Sequence, residues 1–526
     1  MAPARRPYPS IPAVVFTIWA LVVPLLFANR MLNADGDLLR HLRHGAWMLQ
    51  HRSLIHADPF SYTKGGEPFL AFEYGSQLVY TLVHGASGLA GVAIFAGLLI
   101  AASYAVIARF LLGRGADPLL AYLVSIAAAI LGAVHWAARP HLFTLLGVAL
   151  LLFYLEPGDK RPRLWVLVPF FAIWANLHGG FVYGLTLLLI YFAGSLAERW
   201  LGAAREIWSE RARYYGRALA LAGLGTLLNP NGIQLHLHII QFFGEPFLRD
   251  NTSEFMSPDF HSAGGQMLLV ALVGILAPFA LGPGRPTGPR LLLMLANVAF
   301  ALQARRNSQL FAASVFPVLA LHFDAAWRAR VDWRGIRAVF ERDARRGSDA
   351  VFIAVVSGLL LAIALQRGRV GPFELVPDQL DSEEFPIAIV DQARAEGVQG
   401  RIFHEFIWGG YLLYAWPDQK VFIDGGTDFY GPDLMAAYLD VIQLRPGWRD
   451  TLANRNISLV LMPTKSAMVN ELARDGEWRL RSCDATAALL ERGSGGEGAV
   501  AVERLVTCLN SGRRGGPVVS HPGKDG

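Results

Sequence analysis

Ionisable and amide side chains gather at one set of segment ends along this chain. Asp35 and Asp37 stand in NADGDLLRHLRHG with Arg40 and His41 close behind, Arg139 and His141 in AARPHLF, and Asn176 and His178 in ANLHGGF. Asn229 follows in LLNPNG, Glu254 and Asp259 in SEFMSPDF, and Arg305, Arg306 and Asn307 in ARRNSQLF. Charged groups near bilayer depth are costly unless they face a protein interior or a water-filled cavity. Several of them, from separate helices and all on one side, point to a shared polar cavity opening on that side. The chemistry such a cavity suits is the movement of a sugar off a phosphate carrier. That reaction needs a carboxylate to take the acceptor's proton, and cations or a metal ion to stabilise the departing phosphate. Asp35 and Asp37 suit the first task, and Arg139, His141, His178, Arg305 and Arg306 the second. Arg40, His41, Asn176, Glu254 and Asn307 complete the set of candidate substrate-binding residues. The sequence does not identify metal ligands, so a divalent cofactor such as Mg or Mn stays an open expectation.

Each member has a plainer reading beside the chemical one. Asp-Gly is a turn signal, and Asp35 could cap the helix that follows. Arg139 before Pro140 could be an interface anchor, and Arg305 and Arg306 could snorkel to headgroups. His178 could be packed and neutral. The joint occurrence on one side carries more weight than any single residue.

The elements that must position these residues are membrane spans. At 53% hydrophobic and only 17% charged, with a positive mean hydropathy, the chain is more apolar than a soluble protein of 526 residues. Its apolar residues come mainly in runs of a length that crosses a bilayer core of about 30 Å as helices. Eleven spans are predicted, at 11–28, 89–112, 118–136, 140–155, 164–179, 181–198, 216–229, 266–282, 290–304, 308–324 and 349–367. With the N-terminus inside, the inside segments carry 21 Arg and Lys, against nine in the outside loops up to residue 307. That bias orients the chain and puts everything after Gln366 outside. The basic residues thus lie between spans, and the pI near 9.2 gives no reason to expect a nucleic-acid partner. Only five of the 47 basic residues are Lys. With abundant Ala and Gly, this hints at GC-rich bacterial coding and hence a bacterial inner membrane.

The outside segment 29–88 holds two amphipathic stretches, Leu38 to Gln50 and Phe72 to Val83, predicted to lie at the interface. A transmembrane domain is thus expected over 1–367, an α/β periplasmic domain over 368–492 and a flexible tail over 493–526. Strands are predicted at Arg401–Phe403, Val421–Asp424, Leu459–Met462 and Ala487–Leu490, and helices at Pro432–Leu444 and Ser466–Asp475. The only two cysteines, Cys483 and Cys508, fall on the outside, where an oxidising compartment permits a disulfide.

The acidic first loop, the two interface stretches, the many spans and the outside C-terminal domain together resemble the GT-C superfamily of membrane glycosyltransferases. Protein O-mannosyltransferases, the lipid A aminoarabinose transferase and the oligosaccharyltransferase catalytic subunit belong to it. The resemblance implies a polytopic α-helical fold and a sugar transferase that uses a polyprenyl-phosphate donor. It implies a lipid, glycan or protein acceptor, and a catalytic Asp at the position of Asp35 or Asp37. The stretch RIFHEFIWGGYLLYAWPDQKVFIDGGTDFYG, residues 401–431, distantly resembles the WWDYG region of oligosaccharyltransferases and makes Trp408, Tyr411 and Asp424 candidates. The Trp-rich turn, Ile407 to Tyr411, lacks the acidic residue that would read a glycosylation sequon, so Asn-glycosylation is not implied. The RPHLF, SPDF, WGGYL and FIDGGTDFYG blocks are similar to those of other bacterial membrane proteins. A surface-polysaccharide ligase or polymerase, a transporter or flippase of lipid-linked glycans, and a non-catalytic assembly subunit are the competing classes. A flippase would favour charges near helix centres and broken helices in paired positions; neither is evident.

Overall fold

The computed structural model describes residues 9–158, 161–201, 204–331, 349–493, 498–511 and 519–520. Arg5, Arg6, Lys160, Arg334, Arg337, Arg342, Arg345 and Arg346, all used above for orientation, lie outside the described residues, as does much of the expected tail.

The chain divides into two compact units, Met1–Met31 with Val83–Asp378, and Leu32–Leu82 with Gln379–Gly526. The boundary therefore differs from the one expected. Residues 32–82, most of the loop expected outside, belong to the unit of the C-terminal residues, and the hairpin β1 (Arg369–Val370) and β2 (Phe373–Glu374) belongs to the helical unit.

The first unit is helical. Each of the eleven apolar runs falls on a helix. Tyr74–Gly113, Pro118–His135, Phe181–Leu201, Ala263–Leu281 and Arg305–Arg330 are long and apolar enough to cross a membrane. Ile11–Leu26, His141–Leu155, Leu164–Leu177, Gly288–Gln303 and Asp349–Leu365 are shorter apolar helices, and Arg205–Thr226 covers most of the remaining run. Local chemistry sets several starts. Asp117 accepts from the Leu119 and Leu120 N–H groups ahead of Pro118, a side-chain cap followed by proline at the first helical position. The long helix Tyr74–Gly113 breaks at Gly88, with φ 67° and ψ −165°. Asp378 Oδ1 accepts from Ala90 N–H at 3.0 Å and restarts the helix where a span was predicted to begin.

The second unit is α/β. A five-stranded sheet runs in the order β3 (Ile402–His404), β4 (Leu459–Pro463), β6 (Ala487–Arg492), β5 (Trp478–Cys483), β7 (Val519–Ser520). The β3–β4 pair is parallel, with Phe403 opposite Val460, and the rest of the sheet is antiparallel. Two predicted features differ. Val421–Asp424 is not a ladder strand: Val421 makes a single parallel bridge with Ser61. The backbone of 421–424 is drawn to the first-loop segment instead, where Phe60 O takes Val421 N–H at 3.1 Å and the Thr63 hydroxyl donates to Phe422 O at 2.6 Å. And residues 499–511, expected in a flexible tail, form the helix Ala499–Ser511, with Ala501, Leu505 and Cys508 buried. The helix is also tied covalently: Cys508 is disulfide-bonded to Cys483 of β5, Cα to Cα 6.0 Å.

Candidate functional site

Two polar clusters emerge, one in each unit. In the α/β unit the DGD tripeptide opens the helix Asp37–His51. Asp35 Oδ1 accepts from Asp37 N–H at 2.9 Å, so Asp35 does fold the turn. Asp37 Oδ1 faces Arg40 Nε at 3.7 Å, one helical turn on. Arg40 Nε is also 3.9 Å from Asp424 Oδ1, and its side chain is only 11% exposed. Burial works against the Arg40 charge, but Asp37 and Asp424, with Glu73 and Asp428 adding to them, outweigh it and raise its pKa. Asp424 is buried, accepts from Gly426 N–H at 2.8 Å and takes the Tyr430 hydroxyl at 3.2 Å. Burial is the largest influence on Asp424 and pushes its carboxyl up to about 6, against the pull of Arg40 and the Gly426 N–H.

Backbone approach brings these segments together. A Cβ on Gly410 would collide with the Gly36 carbonyl oxygen, one on Gly36 with that of Ile407, and one on Gly425 with Asp37 Oδ1. The DGD turn, the WGGY segment and the DGG loop thus meet only because each carries glycine at the contact. The WGGY segment is itself not a turn but the start of a helix, Trp408–Ala415. Trp408 is buried and donates Nε1–H to Glu384 O at 2.8 Å. Tyr411 is buried and stacked on Phe385 at 5.1 Å. Both are core residues, and of the three candidates in this region only Asp424 joins the charged cluster.

His41 lies on the same helix as Arg40. Gln77 Nε2 donates to His41 Nδ1 at 3.2 Å, which leaves the imidazole proton on Nε2, 3.8 Å from Glu73 Oε2. Glu73, Gln77, Asp428 and Tyr430 were not singled out in the sequence. Only the glycine pair before Thr427-Asp428 signalled that the backbone there must approach something closely.

In the helical unit the cluster is cationic. Arg139, just before the helix His141–Leu155, donates to Glu254 Oε1. Arg306 Nη1 lies 3.7 Å from Glu254 Oε2, and its guanidinium sits 4.7 Å from the centre of the Phe255 ring. Arg305 donates to the Ser253 hydroxyl at 3.1 Å. Burial, the largest single effect, pushes Glu254 up, but Arg139 and Arg306 together outweigh it and hold the carboxyl at about 2. Two guanidiniums thus share one carboxylate, with Arg305 on the adjacent Ser253, an arrangement suited to receiving a further anion.

His178 is positioned beside this cluster by a relay. Trp174 Nε1–H donates to the Thr144 hydroxyl at 3.0 Å, Thr144 donates to His178 Nδ1 at 2.7 Å, and Gly180 N–H reaches the same nitrogen at 3.0 Å. A neutral His178 therefore carries its proton on Nε2. His141 Nε2 donates to His135 O at 3.0 Å, and the two rings are 4.6 Å apart. The amides spend their donors on backbone. Asn176 reaches Ala172 O and Leu228 O, Asn307 reaches Phe300 O, and Asn229 builds its own turn. Asp259 accepts from His261 N–H in the loop. Among the described residues no group of three or more His, Cys, Asp or Glu side chains is placed to hold a metal ion.

No protein-family model matches the chain, and no curated protein matches it. Among solved structures it is similar to the archaeal oligosaccharyltransferase AglB from Archaeoglobus fulgidus, in complex with an inhibitory peptide and a dolichol-phosphate. That match has a TM-score of 0.51 and 13% identity, over 86% of this chain and 69% of that one. It is also similar to ArnT from Cupriavidus metallidurans bound to undecaprenyl phosphate, with a TM-score of 0.50 and 13% identity, over 91% and 97% of the two chains. At this identity the likeness is one of fold, and it agrees with the succession of apolar helices and the C-terminal sheet described above. The chain thus shares its fold with these two membrane proteins.

Proposed function

We propose that this protein transfers a sugar from a polyprenyl-phosphate donor to an acceptor at the periplasmic face of a bacterial inner membrane. The observation that carries the reading is the DGD turn: two carboxylates, Asp35 and Asp37, held in fixed relation by the Asp35–Asp37 backbone bond, Arg40 and a ring of glycines. The two similar structures hold dolichol-phosphate and undecaprenyl phosphate, which favours the same class of donor here.

In this reading Asp35 takes the proton of the acceptor's nucleophile as that nucleophile bonds to the sugar's anomeric carbon. The bond from that carbon to the phosphate oxygen breaks, and its electrons leave with the polyprenyl phosphate. Asp37, tied to Arg40, orients the turn. Sugar and acceptor remain unassigned beyond a lipid, glycan or secreted protein.

The test makes Asp35→Asn and Asp37→Asn separately and follows sugar transfer in membranes that contain the lipid-linked donor. Loss of the base should slow transfer by about 100-fold or more with protein levels unchanged. A large loss in Asp37→Asn alone would move the base to Asp37. Wild-type turnover in both variants would reduce the turn to a helix cap and remove the catalytic reading.

A further inference from the structure

We propose that the helical unit carries an anionic phospholipid headgroup site, separate from the Arg139–Glu254–Arg306 cluster. It is a cavity of about 490 Å³ lined by Arg161, Leu164, Glu210, Arg213, Tyr214 and Arg217. Its walls are the residues before the helix Leu167–Leu177 and one face of the helix Arg205–Thr226.

Three observations point to a phosphate. First, Arg161 is preset. Its Nη1 lies 2.9 Å from Glu210 Oε1, and its guanidinium sits 5.5 Å from the centre of the Tyr214 ring. Tyr214 is buried and anchored by its hydroxyl to Tyr154 O. Second, Arg213 and Arg217 are four residues apart, hence on one face of their helix. Both are exposed, and neither makes an ion pair or hydrogen bond among the described residues. Three guanidiniums then face a single carboxylate. Arginine forks match phosphate oxygens two at a time, and such charge-assisted bonds are the strong ones.

Third, one edge of the rim is apolar. Leu164 lines the cavity, and the next residue in the chain, Trp165, is 61% exposed. Exposed Trp at helix ends marks the headgroup level of a bilayer. A soluble phosphate compound would have no use for such a rim, whereas a lipid places its phosphate among the arginines and its glycerol and first methylenes against Leu164 and Trp165. This end of the helices also carries the excess of Arg, the side on which anionic lipids and basic pockets meet.

The probe is phosphatidylglycerol, titrated onto the full-length protein in neutral detergent and followed by native mass spectrometry. Phosphatidylcholine and inorganic phosphate serve as the other two arms. Wild type should retain phosphatidylglycerol over phosphatidylcholine, and the double variant Arg213→Gln/Arg217→Gln should bind it about 30-fold more weakly. Arg205→Gln, on the same helix but off the cavity, should bind as wild type does. The single variants Arg213→Gln and Arg217→Gln, each with a smaller loss, keep the test readable if the double variant does not fold. Unchanged phosphatidylglycerol binding in these variants would overturn the site. Displacement of the lipid by millimolar inorganic phosphate, with phosphatidylcholine bound equally well, would overturn the lipid as its occupant.

Discussion

Asp424 holds its proton more tightly in the folded protein than in the unfolded chain. Its folded pKa of about 6 lies above the ordinary 3.8 because burial penalises the carboxylate more than Arg40 stabilises it. A carboxyl raised in this way contributes stability that is fully present below about pH 4 and is lost as pH rises through about 6. Asp424→Asn cannot ionise. It should therefore gain stability relative to wild type between pH 4 and 6.5, by about 3 kcal/mol at most, and the gap should level off above that range. Thermal denaturation of both proteins from pH 4.5 to 8 measures it, and a gap that does not change with pH would mean that Asp424 is ionised throughout. Glu254 is the reverse case. Two arginines hold it at about 2 despite burial, so its contribution is present above about pH 4.5 and fades only as pH falls towards 2. Two carboxylates with similar letters in the sequence thus differ because one is buried beside a single shared arginine and the other beside two. Sequence names such residues but cannot weigh burial against partners.

The helices and strands were legible to very different degrees. Apolar runs found the helices of the first unit because a helix that crosses a bilayer core needs a long, nearly unbroken apolar stretch, which stands out in a sequence. The strand Trp478–Cys483 was missed, although its buried and exposed residues alternate over Trp478, Arg479 and Leu480, because two arginines and a serine in WRLRSC hide the apolar pattern. The resemblance implies a Trp-rich turn from Ile407 to Tyr411, yet Trp408 opens a helix that runs to Ala415, and the glycines serve contact rather than conformation. Gly409 approaches the Ile423 carbonyl and Gly410 the Gly36 carbonyl. Nothing local in the sequence says that residue 36 meets residue 410. Adding a methyl group at Gly410 forces backbone apart from backbone, so the usual helix preference for Ala should reverse. Gly410→Ala should cost about 1–3 kcal/mol and displace the DGD turn, lowering sugar transfer with it. Gly476, open on all sides, is the control at which Ala meets no atom within 4 Å. Equal melting temperatures for Gly410→Ala and wild type would show that the two segments can separate without penalty.

For the whole molecule, the bias of Arg and Lys and the pair of cysteines bear on one question by independent physics. The charge bias predicts that everything after Gln366 lies outside, by the rule that basic loops stay in the cytoplasm. The disulfide concerns redox chemistry instead: Cys483 and Cys508 are bonded, and no free cysteine remains. Such bonds persist in the periplasm and are kept reduced in the cytosol. The two arguments must agree, and one experiment can set them against each other. Cells producing the protein are treated with a permeant thiol-alkylating reagent, and the protein is then denatured, with and without reductant, and labelled by a second reagent of different mass. With the C-terminal residues in the periplasm, no cysteine takes the first label, and both take the second only after reduction. Two cysteines carrying the first label would put these residues in the cytosol and would remove the topology and the proposed function with it. The bond closes 25 residues, which in the chain-entropy account stabilises the fold by about 3 kcal/mol. Cys483→Ser with Cys508→Ser should therefore loosen the helix Ala499–Ser511 and increase proteolysis there, while the helical unit, which holds neither cysteine, keeps its resistance.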